Sequence, residues 1–172
     1  MKNQEYLYLD HAASTPMRKS AMDKYIEAES FGFANSSGGH KLSRNSKNLL
    51  EDSREVISEL FNSAPSEIIF TSGGTEADNW TIKSLFDSKI SNSNLVTSNI
   101  EHEAVLASAE WVSSNGFQTK YAKSDENGFV TKDEFIKQID DETKVASLMW
   151  GNNETGVIQP CLLYTSPSPR DA

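Results

Sequence analysis

The chain has 172 residues, and its 25 acidic against 16 basic residues give a formal net charge of −9. This surplus of negative charge repels the phosphate backbone of DNA and RNA, which argues against a nucleic-acid partner. The 37% apolar content indicates a globular protein, the lack of a long apolar run argues against a membrane partner, and a single cysteine is typical of a cytoplasmic protein.

The first part of the chain is predicted to be mainly helical. Residues 6–9 are a short, apolar, strand-like piece, and residues 16–30 are predicted to be a helix that begins with proline, which suits a first turn. The Gly-, Ser- and Asn-rich residues 31–40 are predicted to form a loop. Apolar residues then recur at helical spacing over residues 42–61, which predicts a second helix.

Beyond residue 65, predicted strands alternate with predicted helices. The predicted strands are residues 67–71, 95–98, 117–122 and 144–150. The predicted helices are residues 75–86, residues 101–114 and one that opens at a capping box formed by Thr131 and Glu134. This alternation indicates an α/β fold with a mainly parallel sheet.

The last twelve residues, CLLYTSPSPRDA, do not continue this alternation. Pro167 and Pro169 are incompatible with a regular helix or a central strand. One interpretation is a disordered native tail. The interpretation that we favour is that residues 161–172 are non-native sequence, joined to a truncated reading frame.

The stretch FTSGGTEADN, residues 70–79, places two glycines between a predicted strand and a predicted helix. The start of a helix has unpaired N–H groups and a partial positive charge, and glycine lets an anion approach the backbone closely. Gly74 and Thr75 are therefore candidates to bind a phosphate. The alternative is an ordinary strand-to-helix turn with Thr75 as the N-cap.

Two further polar stretches also follow predicted strands. In SNIEHEAVL, His102 could stack on an aromatic ring or relay a proton, or it could simply be an exposed residue at a helix start. In WGNNETG, Asn152 and Asn153 could hydrogen-bond a phenolic or carboxylate oxygen, or they could serve only the turn. Because the carboxyl ends of parallel strands form the ligand-binding end of an open sheet, the coincidence of three such stretches favours one shared site.

Taken together, YLDHAASTP, NSSGGH, FTSGGTEADN, IEHEAVL and NNETGVIQP resemble the cysteine desulfurases, pyridoxal-phosphate enzymes of the class V aminotransferase group. The resemblance covers residues 6–160 and is to the branch with the iron–sulfur and nitrogen-fixation desulfurases. It implies that Gly74 and Thr75 bind the cofactor phosphate and that Asn153 hydrogen-bonds the phenolic oxygen. His102 is implied to be the catalytic residue, which stacks on the pyridine ring and assists proton transfer. No metal site is expected.

The resemblance also implies an architecture. The fold would be an incomplete three-layer α/β/α arrangement with a mainly parallel sheet, the truncated large domain of a fold-type I pyridoxal-phosphate enzyme. Residues 1–15 would belong to the small domain, and residues 16–160 would form part of the large domain.

The implied activity converts L-cysteine to L-alanine and passes sulfur, as a persulfide, to acceptor or scaffold proteins for iron–sulfur cluster or thio-cofactor synthesis. The full-length protein is expected to be a homodimer. The lysine that carries the cofactor and the nucleophilic cysteine are expected beyond Pro160, and neither Lys41 nor Cys161 replaces them, so this chain alone is predicted to be inactive. The alternatives are another class V enzyme, such as a selenocysteine lyase or an aminotransferase, or a non-catalytic remnant that binds pyridoxal phosphate, another phosphate ligand or a partner protein.

Overall fold

The computed structural model describes residues 7–86 and 92–161. The chain divides into two compact units, Met1–Phe70 and Thr71–Ala172. Apart from Cys161, the tail predicted to be non-native lies outside the described residues. The domain division expected after residue 15 stays a prediction. In the described part of the chain, no helix is long and apolar enough to cross a membrane.

The first unit is a pair of helices, α1 (Lys19–Gly32) and α2 (Lys41–Leu60), and the sequence predicts both. The predicted start of the first helix is wrong, because α1 begins after its N-cap Arg18 and Pro16 is not in its first turn. Helix α2 begins where the His40 Nδ1 accepts the backbone N–H of Ser43 at 3.3 Å. The two helices are joined where the Ser46 hydroxyl donates to the carbonyl of Gly32 at 2.9 Å. The buried side chains of α2 are serines, which allow close approach, whereas its apolar stripe is largely exposed.

The prediction of a strand at residues 67–71 is wrong. A 3-10 turn covers Pro65–Glu67, and Ile68 has extended backbone angles (φ −94°, ψ 122°) but pairs with none of the described strands. Its carbonyl instead accepts a hydrogen bond from the Arg54 guanidinium, whose central carbon lies 5.0 Å from the centre of the Phe70 ring. Apolar, β-prone residues form a strand only when a neighbouring strand supplies hydrogen bonds, and this segment lacks one. For the same reason residues 7–9 are not a strand, and residue 6 lies outside the described range.

The second unit alternates strands and helices. In chain order its elements are α3 (Gly74–Lys83), β1 (Asn94–Ser98), α4 (Glu103–Ser114), β2 (Gln118–Ala122), α5 (Lys132–Ile136) and β3 (Thr143–Ala146). The three strands form one parallel sheet in the order β2-β1-β3, which confirms the predicted α/β fold and parallel pairing. At the start of α5 only half of the predicted capping box forms: the Thr131 hydroxyl accepts the N–H of Glu134 at 3.2 Å, and the Glu134 carboxylate binds elsewhere.

Strand β3 is shorter than the predicted strand over residues 144–150. It ends at Ala146 because the following chain folds into an antiparallel hairpin of its own. The N–H of Asn152 donates to Val157 at 2.9 Å, and the N–H of Gln159 donates to Trp150 at 2.7 Å. The sequence NNETG therefore lies at the tip of a hairpin that follows the carboxyl end of β3.

The central strand, β1, is buried along its whole length and packs on both faces. Leu95 belongs to the larger apolar cluster, with Ile82, Phe86, Val105, Ala109, Val112 and Phe117. Val96 points the other way, into a cluster with Ala122, Val130 and Phe135. Helices α3 and α4 thus cover one face and α5 the other, which is the expected three-layer arrangement around a short sheet.

A polar cluster joins the strands near the opposite, amino end of the sheet. The Asp140 carboxylate accepts from the Asn94 amide at 2.7 Å, from the Thr143 hydroxyl at 3.1 Å and from the Lys120 ammonium. The hydrogen bond from Lys120 has the largest effect and that from Asn94 the next largest, and they hold the pKa of the Asp140 carboxyl far below its ordinary value of 3.8. Asp140 therefore ties β1, β2 and β3 together in its charged form.

This cluster predicts a loss of stability in acid. Because the folded state binds fewer protons at Asp140 than the unfolded chain, its contribution is fully present above about pH 3.8 and declines as the pH falls below that value. We expect D140N to be less stable than the unchanged chain at neutral pH and to lose less stability on acidification. Urea unfolding between about pH 7 and pH 2 measures both effects. The exposed neighbour variant D141N should follow the unchanged chain, and an unchanged acid response in D140N would contradict the assignment.

Candidate functional site

An open cavity of about 360 Å³ lies at the carboxyl end of the sheet, between the loop that follows β1 and the hairpin that follows β3. Its lining includes His102 and Asn153, so the structure brings these two predicted site residues together. The volume is at the lower end of the range for small-molecule pockets, roughly 300–1,000 Å³. The cavity is therefore large enough for one aromatic ring with its substituents.

His102 both caps a helix and faces this cavity. It is the N-cap of α4, with extended backbone angles, and its Nδ1 accepts the N–H of Ala104 at 3.1 Å. Since Nδ1 is an acceptor, the neutral imidazole carries its proton on Nε2. No described residue bonds to that Nε2. The ring is thus held in place by one nitrogen and keeps the other for a ligand.

The two neighbouring asparagines in the hairpin have different roles. The Asn152 Oδ1 accepts the N–H groups of Glu154 and Thr155, each at 2.9 Å, and its Nδ2 donates to the carbonyl of Ile100 at 3.0 Å. The Asn153 side chain is exposed and hydrogen-bonds to nothing within residues 7–86 and 92–161. Asn152 therefore provides the turn chemistry, and the Asn153 amide remains available to a ligand.

Gly74 and Thr75 do not line this cavity. Helix α3 begins at Gly74 with Gly73 as its N-cap, so Thr75 is not the N-cap. A Cβ at either Gly73 or Gly74 would meet nothing within 4 Å, which means that no described neighbour requires these glycines. The first N–H groups of the helix lack intrahelical partners and suit an anion.

A carboxylate already lies beside this helix start. The Glu76 Oε2 accepts the N–H of Ser72 at 2.6 Å, and this backbone hydrogen bond lowers the pKa of Glu76. An incoming phosphate would share this region with the Glu76 charge. Phosphate binding at Gly74 and Thr75 accordingly stays a prediction.

Glu101 also lines the cavity and was not predicted from the sequence. Only 8% of its surface is exposed, and its Oε1 accepts the Ser98 hydroxyl at 3.1 Å and the N–H of Met149 at 2.7 Å. Burial raises the pKa of this carboxyl, and the nearby charge of Asp78 adds to the effect. The available signal was an acidic residue between a buried strand and a helix-capping histidine, since acidic residues are rarely buried without hydrogen-bonding partners.

His102 and Asn153 fit the ring of the cofactor that the resemblance implies. The cavity offers an imidazole face at His102 and an unused amide at Asn153, which suit an aromatic ring that carries a phenolic oxygen. Within the described residues, no group of side chains could hold a metal ion.

Comparisons with known proteins are consistent across sequence and structure. The family described as Aminotransferase class-V matches residues 7–163. A cysteine desulfurase IscS of Methanosarcina thermophila is 37% identical over 155 residues, which are 90% of this chain and 38% of that protein. A putative cysteine desulfurase IscS 1 of Bacillus subtilis (strain 168) is 38% identical over 157 residues, which are 91% of this chain and 41% of that protein.

Solved structures give the same result. A NifS-like protein superposes with a TM-score of 0.81 at 32% identity, over 88% of this chain and 42% of its own. A structure of SspA in complex with cysteine superposes with a TM-score of 0.80 at 33% identity, over 89% and 44% of the two chains. These likenesses confirm the predicted fold, and the chain spans about two fifths of the length of the curated relatives it matches.

Proposed function

The chain belongs to the aminotransferase class-V family, and from this premise we propose that it is the N-terminal part of a pyridoxal-phosphate-dependent cysteine desulfurase. One observation carries the proposal. His102 and Asn153, which lie far apart in the sequence, line one ring-sized cavity in a chain whose similarity to cysteine desulfurases covers nine tenths of its length.

Each site residue has a proposed task toward the cofactor. When bound, pyridoxal phosphate acts as an electron sink that makes bonds of the amino-acid substrate easier to break. The His102 imidazole stacks on the ring and carries a proton at Nε2, and the Asn153 amide donates to the phenolic oxygen. The N–H groups of Gly74 and Thr75 hold the phosphate. His102 is the catalytic residue of this set.

The substrate and partners of the whole protein are part of the same proposal. L-cysteine is the substrate, L-alanine is the product, and sulfur passes as a persulfide to acceptor or scaffold proteins in the cytoplasm for iron–sulfur cluster or thio-cofactor synthesis. The full-length protein is a homodimer. The relatives described above carry the desulfurase name, which favours this activity over selenocysteine lyase, aminotransferase or a non-catalytic remnant.

We expect ring binding to depend on the two cavity residues. The probe is pyridoxine 5′-phosphate, which has no aldehyde and so does not react with surface lysines. H102N removes the imidazole but keeps a good N-cap, and N153A removes the free amide. Each variant should bind the probe about threefold to tenfold more weakly than the unchanged chain, as the loss of one hydrogen bond or ring contact implies.

Isothermal titration or the fluorescence of the probe measures this affinity. N127A, at an exposed asparagine of a turn outside the cavity, is the matched control and should bind like the unchanged chain. Equal affinity in all four proteins would refute the proposed site.

We also expect the chain alone to produce no alanine from L-cysteine, even with pyridoxal phosphate added. In this proposal the cofactor lysine and the nucleophilic cysteine belong to the part of the relatives that this chain does not span. Cys161 is a poor substitute, because burial raises the pKa of its thiol and its Sγ contacts the carbonyl of Met149 at 3.6 Å. Alanine release measured against a full-length desulfurase tests this, and turnover by the chain would contradict it.

A further inference from the structure

Side chains, rather than the sheet itself, connect the two loops that form the cavity. Regular pairing between β1 and β3 ends at Val96 and Ala146, with one more hydrogen bond from the N–H of Ser147 to Val96 at 2.9 Å. Beyond that point the Glu101 carboxylate bridges the two segments. Its Oε1 receives the Ser98 hydroxyl from the β1 side and the N–H of Met149 from the β3 side.

A second connection lies beside the first. The Asn152 Nδ2 donates to the carbonyl of Ile100 at 3.0 Å. Glu101 directly precedes His102, and Asn152 directly precedes Asn153. Each connection therefore holds the backbone next to one of the two residues that face the cavity.

We propose that Glu101 is a positioning residue, whose carboxylate sets the placement of the His102 imidazole relative to the Asn153 amide and so preorganises the cavity for an aromatic ring. This inference rests on the proposed function. A buried carboxylate is costly unless it is hydrogen-bonded. Here the bond from the N–H of Met149 joins the two loops, and the bond from the Ser98 hydroxyl holds the carboxylate in place within its own loop. The bond from the N–H of Met149, at 2.7 Å, is the shorter of the two.

The test compares two variants at Glu101 with a matched control. E101Q keeps an oxygen that can accept both hydrogen bonds, whereas E101L removes the acceptor. E110L makes the same replacement at an exposed position of α4 outside the cavity. Three probes separate the ring from the phosphate: pyridoxine, pyridoxine 5′-phosphate and inorganic phosphate, with the amide NMR signals of Gly74 and Thr75 reporting the last.

A positioning role predicts a selective loss. E101L should bind pyridoxine and pyridoxine 5′-phosphate about tenfold more weakly, because it leaves the N–H of Met149 and the Ser98 hydroxyl without their acceptor, and losing such a bond is typically equivalent to about a factor of ten. E101Q should stay within about twofold of the unchanged chain, and E110L should match it. Binding of inorganic phosphate should be the same in all of them.

Two results would overturn the proposal. One is a folded E101L that binds the ring probes like the unchanged chain. The other is an equal loss of affinity for inorganic phosphate in E101L. That result would mean that the variant loosens the fold in general and does not specifically displace His102 relative to Asn153. If E101L does not fold, S98A replaces it, because this change removes one of the two donors to Glu101. S98A should bind the ring probes about threefold more weakly. An unchanged affinity in S98A would refute the proposal.

A failure of the proposed function gives a different pattern. In that case the unchanged chain itself binds neither ring probe. Hydrogen exchange at the N–H of Met149 then decides the placement: faster exchange in E101L than in E101Q supports it, and equal exchange rules it out.

Discussion

Replacing Leu95 with alanine is expected to lower the free energy of unfolding of the second unit by about 3 to 5 kcal/mol. Leu95 lies in the central strand β1, is completely buried, and packs against the cluster that joins the sheet to α3 and α4. The change removes three carbon atoms' worth of side chain and leaves a cavity that this close-packed interior fills only partly. A domain of this size typically has a free energy of unfolding of only about 5 to 15 kcal/mol, so the variant should lose a large fraction of its stability.

Urea unfolding followed by circular dichroism measures this effect. L85A is the matched control, since Leu85 belongs to the same unit but is 50% exposed. It should change the unfolding free energy by much less. If L95A and L85A shifted the transition equally, Leu95 would not be at the centre of the core as described.

Replacing Gln159 with leucine is expected to cost about 2 to 4 kcal/mol. Gln159 is 2% exposed, and its side chain accepts the N–H of Val130 at 2.9 Å and donates to the carbonyl of Gly128 at 2.8 Å. Leucine has a similar size but can make neither hydrogen bond. Because Gln159 attaches the hairpin that carries Asn153 to the turn at Gly128, the change should also loosen one wall of the cavity.

Hydrogen exchange over residues 150–158, together with urea unfolding, measures both consequences. Q118L, at the exposed first residue of β2, is the control and should have little effect on either. A stable Q159L with unchanged exchange in the hairpin would show that the two hydrogen bonds do not hold it.

Several elements could be predicted because their signals are local. The spacing of Val105, Ala109 and Val112 predicts the inward face of α4, and all three are buried. Gly116, which follows that helix, has a φ of +87°, a conformation that glycine adopts without strain. The order of the motifs along the chain also predicted the family, because a sequence motif can be recognised without knowing which residues contact it in the fold.

The errors arose where distant residues decide the outcome. The segment of residues 67–71 has the composition of a strand, yet no described strand pairs with it, and Ile69 is 56% exposed. Glu101 was not singled out from the sequence, because its bond to the N–H of Met149 joins residues that are 48 positions apart.

The amino-acid sequence by itself determined the periodicity of the helices, the turns, the alternation of strands and helices, and the likeness to the cysteine desulfurases. Only the tertiary structure decided which extended segments become strands, that Asn152 is used by the turn while Asn153 is available, and that Glu101 joins the two loops of the cavity. The physical reason is that propensity and turn chemistry act between near neighbours in the chain. Hydrogen bonds such as those of Glu101 and Asn152 form only after folding brings separate strand ends together.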